Sequence, residues 1–346
     1  MKQAIKKRSS GKTPERTYSV AVVATMSAGK STLLNAMIGR SLLPTSCLAC
    51  TSSIFSIVDV DGASDFEVRS NSRGRAKWIH ADKSILAAMN SSARSTIELR
   101  GDLPGIANFR RGNVRVRFID TPGPNNFEDT EHSSILQRAL AKCDYTALIF
   151  LLDASSLHVT DELATLNQVK EFLNRKHGKI DVVFVLNRMD AAFEEDDCGK
   201  SLTEILENAK RFLTNRAQFS NPIVIPTWAS LSLRLRRILN GVVNIESLSV
   251  SGERSLLSSL DKIKVHKKEI EELLGLKRCA NLFKQIGTTK VTLPHSGSHL
   301  SFDEIAEAES LTGVGALESL IEEKMKKYFN ARANHSWNRR KAKNRS

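Results

Sequence analysis

Apolar and polar positions alternate along the first two thirds of the chain in blocks that read as strands and helices in turn. A nearly continuous apolar run, Tyr18-Ser-Val-Ala-Val-Val-Ala24, predicts a buried strand. A short loop follows, then Ser31-Thr-Leu-Leu-Asn-Ala-Met-Ile38, which is spaced as a helix over 30–39 with Gly39 as its stop. Ile54–Val60, a short stretch near Phe66–Val68, Val114–Ile119, Tyr145–Leu152, Asp181–Leu186 and Pro222–Pro226 read as further strands. The alternation at the start of 114–119 suits a strand next to a sheet edge. Helices are predicted near 82–89 and over 131–142, 161–174 and 201–214, and the rest of 61–112 reads as polar connections. Beyond residue 231 the period becomes helical: 231–239, 256–276, 302–311 and 317–329 look amphipathic, with polar breaks near 240–252 and 287–298. Strands alternating with helices predict an α/β fold with a mostly parallel sheet and helices on both faces, and such sheets bind ligands at the carboxyl ends of their strands.

Four short motifs fall at those ends. Ala24-Thr-Met-Ser-Ala-Gly-Lys-Ser31 lies between strand and helix, the setting of a phosphate-binding loop, with Ala24 where the first Gly is usual. Backbone N–H groups over Thr25, Met26, Ser27, Ala28 and Gly29 and into Thr32 would face the phosphates, Lys30 would reach the β- and γ-phosphates, and Ser31 would ligate Mg²⁺. Asp120-Thr-Pro-Gly123 supplies a carboxylate able to hold Mg²⁺ through water and, at Gly123, an N–H able to approach a γ-phosphate. Asn187-Arg-Met-Asp190 is close to Asn/Thr-Lys-x-Asp. Its Asp190 carboxylate would accept from guanine N1–H and the 2-amino group, Asn187 would brace the loop and contact base N7, and Arg188 would cover the base face. Thr227-Trp-Ala-Ser230 is a second candidate base loop, with Trp228 beside the base and an Ala229 N–H for guanine O6. Thr51 is the preferred switch threonine for Mg²⁺ and the attacking water, and Thr45 competes with it.

Composition narrows the class. The chain has 346 residues, 41% hydrophobic and 26% charged, which is ordinary for a globular protein. No apolar run approaches a bilayer span, and the basic N-terminus lacks an apolar segment of the secretory kind. A cytoplasmic protein, peripheral at most to membrane or nucleoid, is expected. Five cysteines, an odd number, fit free thiols, and Cys47-Leu-Ala-Cys50 has no second ligand pair at zinc spacing. The net charge of +13 concentrates at the ends: six Lys/Arg and one Glu before Tyr18, and nine Lys/Arg with no acid from Lys324 onward. Those ends suit an anionic partner, nucleic acid or lipid headgroups, or serve as solvated arms.

Together these residues resemble a translation-factor-type GTPase and, more narrowly, the dynamin family. The resemblance rests on Ser27-Ala-Gly-Lys-Ser31, on Leu43-Pro-Thr-Ser-x-x-x-x-Thr51, on Ile119-Asp-Thr-Pro-Gly-Pro-Asn125, and on Leu311–Leu320 as the helix closing a G domain. It covers roughly 18–330, thinly at 61–110 and 240–300, and Ile119–Asn125 is close to bacterial dynamin-like proteins. It implies a P-loop GTPase fold, Mg²⁺-dependent GTP hydrolysis, and stimulation when two G domains pair as a nucleotide-dependent homodimer. Ser27, Lys30, Thr51 and Gly123 would be catalytic, with Ser27 at the β–γ bridging oxygen and beside a monovalent cation. Met26 stands where the family's water-placing Gln sits, so hydrolysis is expected to be slow or arranged differently. The expected organisation is a basic arm over 1–17, a G domain over 18–330 with a helical segment at 240–310, and a basic tail over 331–346. A dynamin stalk is not recognised after the G domain, so a stand-alone domain, a truncated copy or a stalk-bearing partner chain is expected. Two alternatives use the same motifs: an Era-like GTPase with its tail on RNA, and a nucleotide-binding scaffold with little turnover.

Overall fold

A computed structural model describes residues 16–25, 27–45, 54–70, 76–92, 96–106, 114–121, 140–141, 145–156, 160–176, 180–190, 201–275 and 290–343. Nine strands form one sheet: β1 (Arg16–Ala24), β2 (Ile54–Asp59), β3 (Glu67–Ser70), β4 (Ile79–His80), β5 (Thr96–Gly101), β6 (Val114–Asp120), β7 (Ala147–Asp153), β8 (Asp181–Asn187) and β9 (Val224–Pro226). Their spatial order is β4-β3-β5-β2-β6-β1-β7-β8-β9. From β6 through β1, β7 and β8 to β9 every pairing is parallel, whereas β2 runs antiparallel to β6, and β3 to both β4 and β5. A small antiparallel hairpin, β10 (Lys290–Thr292) with β11 (His299–Ser301), lies apart from the sheet.

The helices are α1 (Lys30–Ile38), α2 (Lys83–Ser92), α3 (Thr160–Arg175), α4 (Leu202–Arg211), α5 (Ala229–Leu239), α6 (Val250–Leu274), α7 (Phe302–Ser310) and α8 (Val314–Lys343). Helix α4 continues into a π-helical turn over Phe212–Arg216. The predicted helix at 131–142 lies mostly outside the described residues.

Strand β1 explains why the sheet needs cover on both faces. Ala21 and Val23 point into one core with Phe150, Phe184 and residues of α3 to α7. Val20, Val22 and Ala24 point into the other, with Leu33 and Met37 of α1 and Leu317 and Ile321 of α8. A strand buried on both sides reads as a continuous apolar run, as Tyr18–Ala24 does. Helices α6 and α7 share the first core through Leu256, Leu260, Ile263 and Ile305, so the helical segment after residue 240 packs on the sheet layers.

Two expectations change. Strand β6 is interior, between β2 and β1. Its alternating arginines are accommodated because Arg117 crosses to β1 and donates to Ser19 Oγ at 2.9 Å. Residues 96–101, read as polar connection, form β5. Ile97 and Leu99 face the core, while Glu98 and Arg100 pair across to Arg69 (2.6 Å) and Glu67 (2.7 Å) of β3. The Trp78 ring is stacked between those two guanidinium groups, at 4.4 Å from Arg69 and 4.1 Å from Arg100. The closing helix also extends further than the predicted 317–329, its backbone running helical to Lys343.

At the end of β2, Asp59 is 1% exposed. Its Oδ1 accepts from Leu103 N–H at 3.0 Å, and its Oδ2 has no hydrogen bond among the described residues. Burial, reinforced by Asp102 and Asp61 and opposed by the Leu103 N–H and Arg115, raises its pKa to about 7. An unfolded Asp loses its proton near pH ~4. The folded form thus holds the proton more tightly, so this contribution to stability is complete below pH ~4 and is lost as pH rises through about 7. Asp59→Asn is expected to flatten that slope and to be the more stable form at pH ~8, by about 2 kcal/mol. Urea midpoints of both forms across this range check it, and parallel curves would refute it.

Candidate nucleotide site

The carboxyl ends of β1, β6, β7, β8 and β9 meet at one edge, as the registers Val22↔Asp120, Ala24↔Leu151, Asp153↔Asn187 and Leu186↔Pro226 require. The described residues of the four strand-end motifs lie there. Strand β1 passes through Thr25, Ser27 and Ala28 into α1, whose N-cap is Gly29. Gly29 has φ 90°, and a Cβ there would come 2.4 Å from Asn187 Nδ2, so both the backbone and the close approach demand glycine. Ser27 is also left-handed, at φ 64°. Ser31 and Thr32 occupy the first turn of α1, where the helix dipole favours an anion. Met26, Thr51 and Gly123 lie outside the described residues, as do Cys47 and Cys50. Thr45, the competing switch threonine, is exposed.

Lys30 Nζ lies 2.5 Å from Asp120 Oδ1. The Asp120 side chain is 1% exposed, and apart from this ion pair neither carboxylate oxygen accepts a hydrogen bond among the described residues. An acceptor buried in this state is open to a cation or a bound water. Among the described residues no group of three or more His, Cys, Asp or Glu is placed to hold a metal. One carboxylate beside a helix-start hydroxyl fits Mg²⁺, which keeps several waters and takes few protein ligands.

Asn187, 2% exposed, is the hub of the edge. Its Nδ2 donates to Ala28 O at 2.9 Å, and its Oδ1 accepts from Thr227 Oγ1 at 3.0 Å and from Ala229 N–H at 3.2 Å. The expected brace is thus an amide joining the phosphate loop to the base loop. The Ala229 N–H, expected to serve a guanine O6, is directed at Asn187 instead. The Trp228 side chain is buried in the core, and its backbone N–H donates to Thr312 O at 2.8 Å, which ties the base loop to the root of α8. Gly313 at that root has φ 79°, and a Cβ there would lie 2.0 Å from Pro226 O. Arg188, left-handed at φ 62°, places Nη1 2.7 Å from Asp153 Oδ2. Asp190 lines a small cavity of about 140 Å³ with Ser230, Leu231 and Arg234.

Several residues that hold the elements around this edge carry no motif. Asp153 closes β7 and holds Arg188, and its Oδ1 accepts from Ser155 N–H at 3.0 Å. Asn35, fully buried in α1, accepts from Leu42 and Leu43 N–H at 3.0 and 2.8 Å and donates to Leu43 O at 2.9 Å, pinning the start of the loop after α1. Arg236 of α5, also fully buried, donates Nε to Glu309 Oε1 at 2.6 Å and both Nη groups to Glu318, at 2.7 and 2.8 Å. Its Nη1 also reaches Ala36 O at the end of α1, at 3.2 Å. The signals that could have found two of these are an aspartate after a buried strand, Asp153, and a polar residue inside an apolar helix, Asn35.

A phosphate loop of this geometry on β1, with an aspartate ending β6 and Asn-x-x-Asp ending β8, defines a P-loop GTPase fold. Residues 20–189 match the family described as the dynamin family. Residues from Asp190 onward lie outside that match. No curated protein matches the chain. Among solved structures, a chain of an oligomerised bacterial dynamin pair, said to sense and tether membranes, is similar at 17% identity and a TM-score of 0.44, over 75% of this chain and 41% of that one. An Era variant from Aquifex aeolicus is similar at 16% identity and a TM-score of 0.35, over 66% of this chain and 56% of that one. The G domain of FeoB from T. maritima is similar at 15% identity and a TM-score of 0.30, over 62% of this chain and 89% of that one. The chain thus spans about two fifths of the bacterial dynamin and a little over half of Era. Among the described residues no helix is long and apolar enough to cross a membrane.

Proposed function

We propose that the chain binds guanine nucleotide and hydrolyses GTP to GDP and phosphate with Mg²⁺, and that turnover rises when two G domains pair. The observation that carries this reading is the Asn187 amide, which ties the phosphate loop at Ala28 to the base loop at Thr227 and Ala229 and leaves Asp190 beside them. The loop N–H groups from Thr25 to Thr32 bind the β- and γ-phosphates, and Lys30 leaves Asp120 to neutralise them. Asp190 selects guanine, because adenine would leave its carboxylate without the two donors it accepts. Ser31, Asp120 through water, and Thr51 would hold Mg²⁺, which supplies neutralisation of charge on the phosphate oxygens. Thr51 and Gly123 orient the attacking water and the γ-phosphate, and Ser27 faces the bridging oxygen and a monovalent cation. We extend the G domain over 18–330.

Turnover of GTP and ATP measured against protein concentration tests this. GTP is expected to be preferred by at least ~100-fold, turnover to stop on chelation of Mg²⁺, and specific activity to climb with concentration. Equal use of ATP would overturn the base assignment, and nucleotide binding without turnover at any concentration would overturn hydrolysis.

A further inference from the structure

Helix α6 presents a face arranged symmetrically about its own middle. Val250, Arg254, Leu257, Ser258, Asp261 and Val265 line a groove of about 670 Å³, which the turn between β10 and β11 also borders at His295 and Ser296. Glu253 of the same helix fixes that turn, accepting from the His295 and Ser296 N–H groups at 2.9 and 2.7 Å. At ~3.6 residues per turn, the six residues fall within about 100° of arc and run for about 22 Å. Val265 and Val250, 78% and 54% exposed, are the most exposed large hydrophobic side chains among the described residues. Arg254 and Asp261 are exposed as well, and neither makes an ion pair among the described residues. We propose that this face pairs with the same face of a second copy of the chain, the two α6 helices lying antiparallel about a two-fold axis between Leu257 and Ser258.

A two-fold axis at that point sets each residue opposite the one equally far along on the other side of it. Val250 then meets Val265 of the second copy, Arg254 meets Asp261, and Leu257 meets Ser258, and each pair occurs twice. The exposed valines are covered at both ends of the seam, and both unpaired charges are neutralised. Parallel pairing in register would instead set Arg254 against Arg254 and Asp261 against Asp261, so the charges select the antiparallel arrangement. Exposed ion pairs add little affinity, and their part here is to fix the register. A seam of about four helical turns is small for a specific interface, which points to a Kd on the order of 10–100 μM. Of the six residues only Ser258 also borders the cavity beside Asp190. This pairing needs no nucleotide, and it is separate from the nucleotide-linked pairing proposed above.

Sedimentation velocity of the nucleotide-free full chain, at about 5–200 μM and low salt, tests this. The mass is expected to rise toward two chains across that range. Val265→Asp should weaken the dimer at least ~10-fold, because it sets a carboxylate against Val250 at both ends of the seam. Arg254→Asp and Asp261→Arg, each alone, should weaken it similarly by opposing like charges. Mixed in equal amounts, those two variants should pair with each other, since every charge on the seam then meets its opposite. Arg254, Asp261 and Val265 are all exposed, so these substitutions leave the fold intact. A chain that stays monomeric at about 200 μM overturns the inference and leaves the groove to a helix of a different protein. A dimer indifferent to Val265→Asp overturns it, and charge variants that do not pair on mixing overturn the antiparallel register. A dimer that forms only with nucleotide and ignores all three substitutions overturns this inference alone and leaves the proposed function standing.

Discussion

Lys30→Ala is expected to reduce GTP turnover by at least ~100-fold while the chain stays folded. The lysine is placed for two successive duties. In the free protein its Nζ sits against the buried Asp120 carboxylate at 2.5 Å. In the proposed function the same ammonium leaves Asp120 to neutralise the phosphates at Gly29 and the start of α1. Removing it takes away a charge-assisted contact to the transferred group and leaves Asp120 buried without its counter-ion. Stability of the nucleotide-free form should therefore also fall, by about 1–3 kcal/mol. Steady-state hydrolysis and urea unfolding of the same variant separate the two effects. Turnover at the wild-type rate would show that phosphates do not bind at this loop.

Arg236→Met is expected to be the most destabilising single change, costing on the order of 3–5 kcal/mol or more. Methionine approximates the stem but leaves Glu309 and Glu318, 2% and 0% exposed, facing each other without a cation. In the intact protein, burial by itself would lower the pKa of Arg236, but the two carboxylates outweigh it and raise it, so the guanidinium stays charged. Ser232 Oγ adds a donor to Glu309 at 2.9 Å. Total stabilities of about 5–15 kcal/mol are common, so this loss consumes much of the margin. Denaturant midpoints measure it, and a loss under ~1 kcal/mol would mean that the cluster is wet or replaceable. Because Nη1 also holds Ala36 O, milder substitutions such as Glu318→Gln should loosen α8 from the C-terminal end of α1 before the sheet unfolds.

The nucleotide edge was legible because its motifs sit where buried strands end. Apolar runs such as Tyr18–Ala24 and Ala147–Leu152 mark those ends without ambiguity, and a parallel sheet brings them to one side. What could not be read was set by partners far along the chain. Arg236 meets Glu309 and Glu318 across 73 and 82 residues, and a lone arginine on a helix otherwise reads as a solvated face. Strand β5 was hidden for a related reason. Glu98 and Arg100 look like loop polarity until β3 supplies their opposite charges. The interior place of β6 depends on Ser19, 98 residues before Arg117. The base loop differed in another way: the backbone N–H groups of Trp228 and Ala229 are spent on Thr312 and Asn187, and neither contact has a local signal.

The Asn187 amide carries a further constraint, visible when its valences are counted. A side-chain amide has two acceptor lone pairs and two donor hydrogens. Thr227 and Ala229 fill both lone pairs, and Ala28 takes one hydrogen. A single N–H is left over. It can serve an acceptor such as the N7 of a purine, and it can serve only one. An atom that needs to donate at this point meets a saturated oxygen, so under the proposed function the same amide would take no hydrogen from a bound base. An aspartate in its place would turn the contact with Ala28 O into repulsion between two oxygens, separating the phosphate loop from the base loop at a side chain they share.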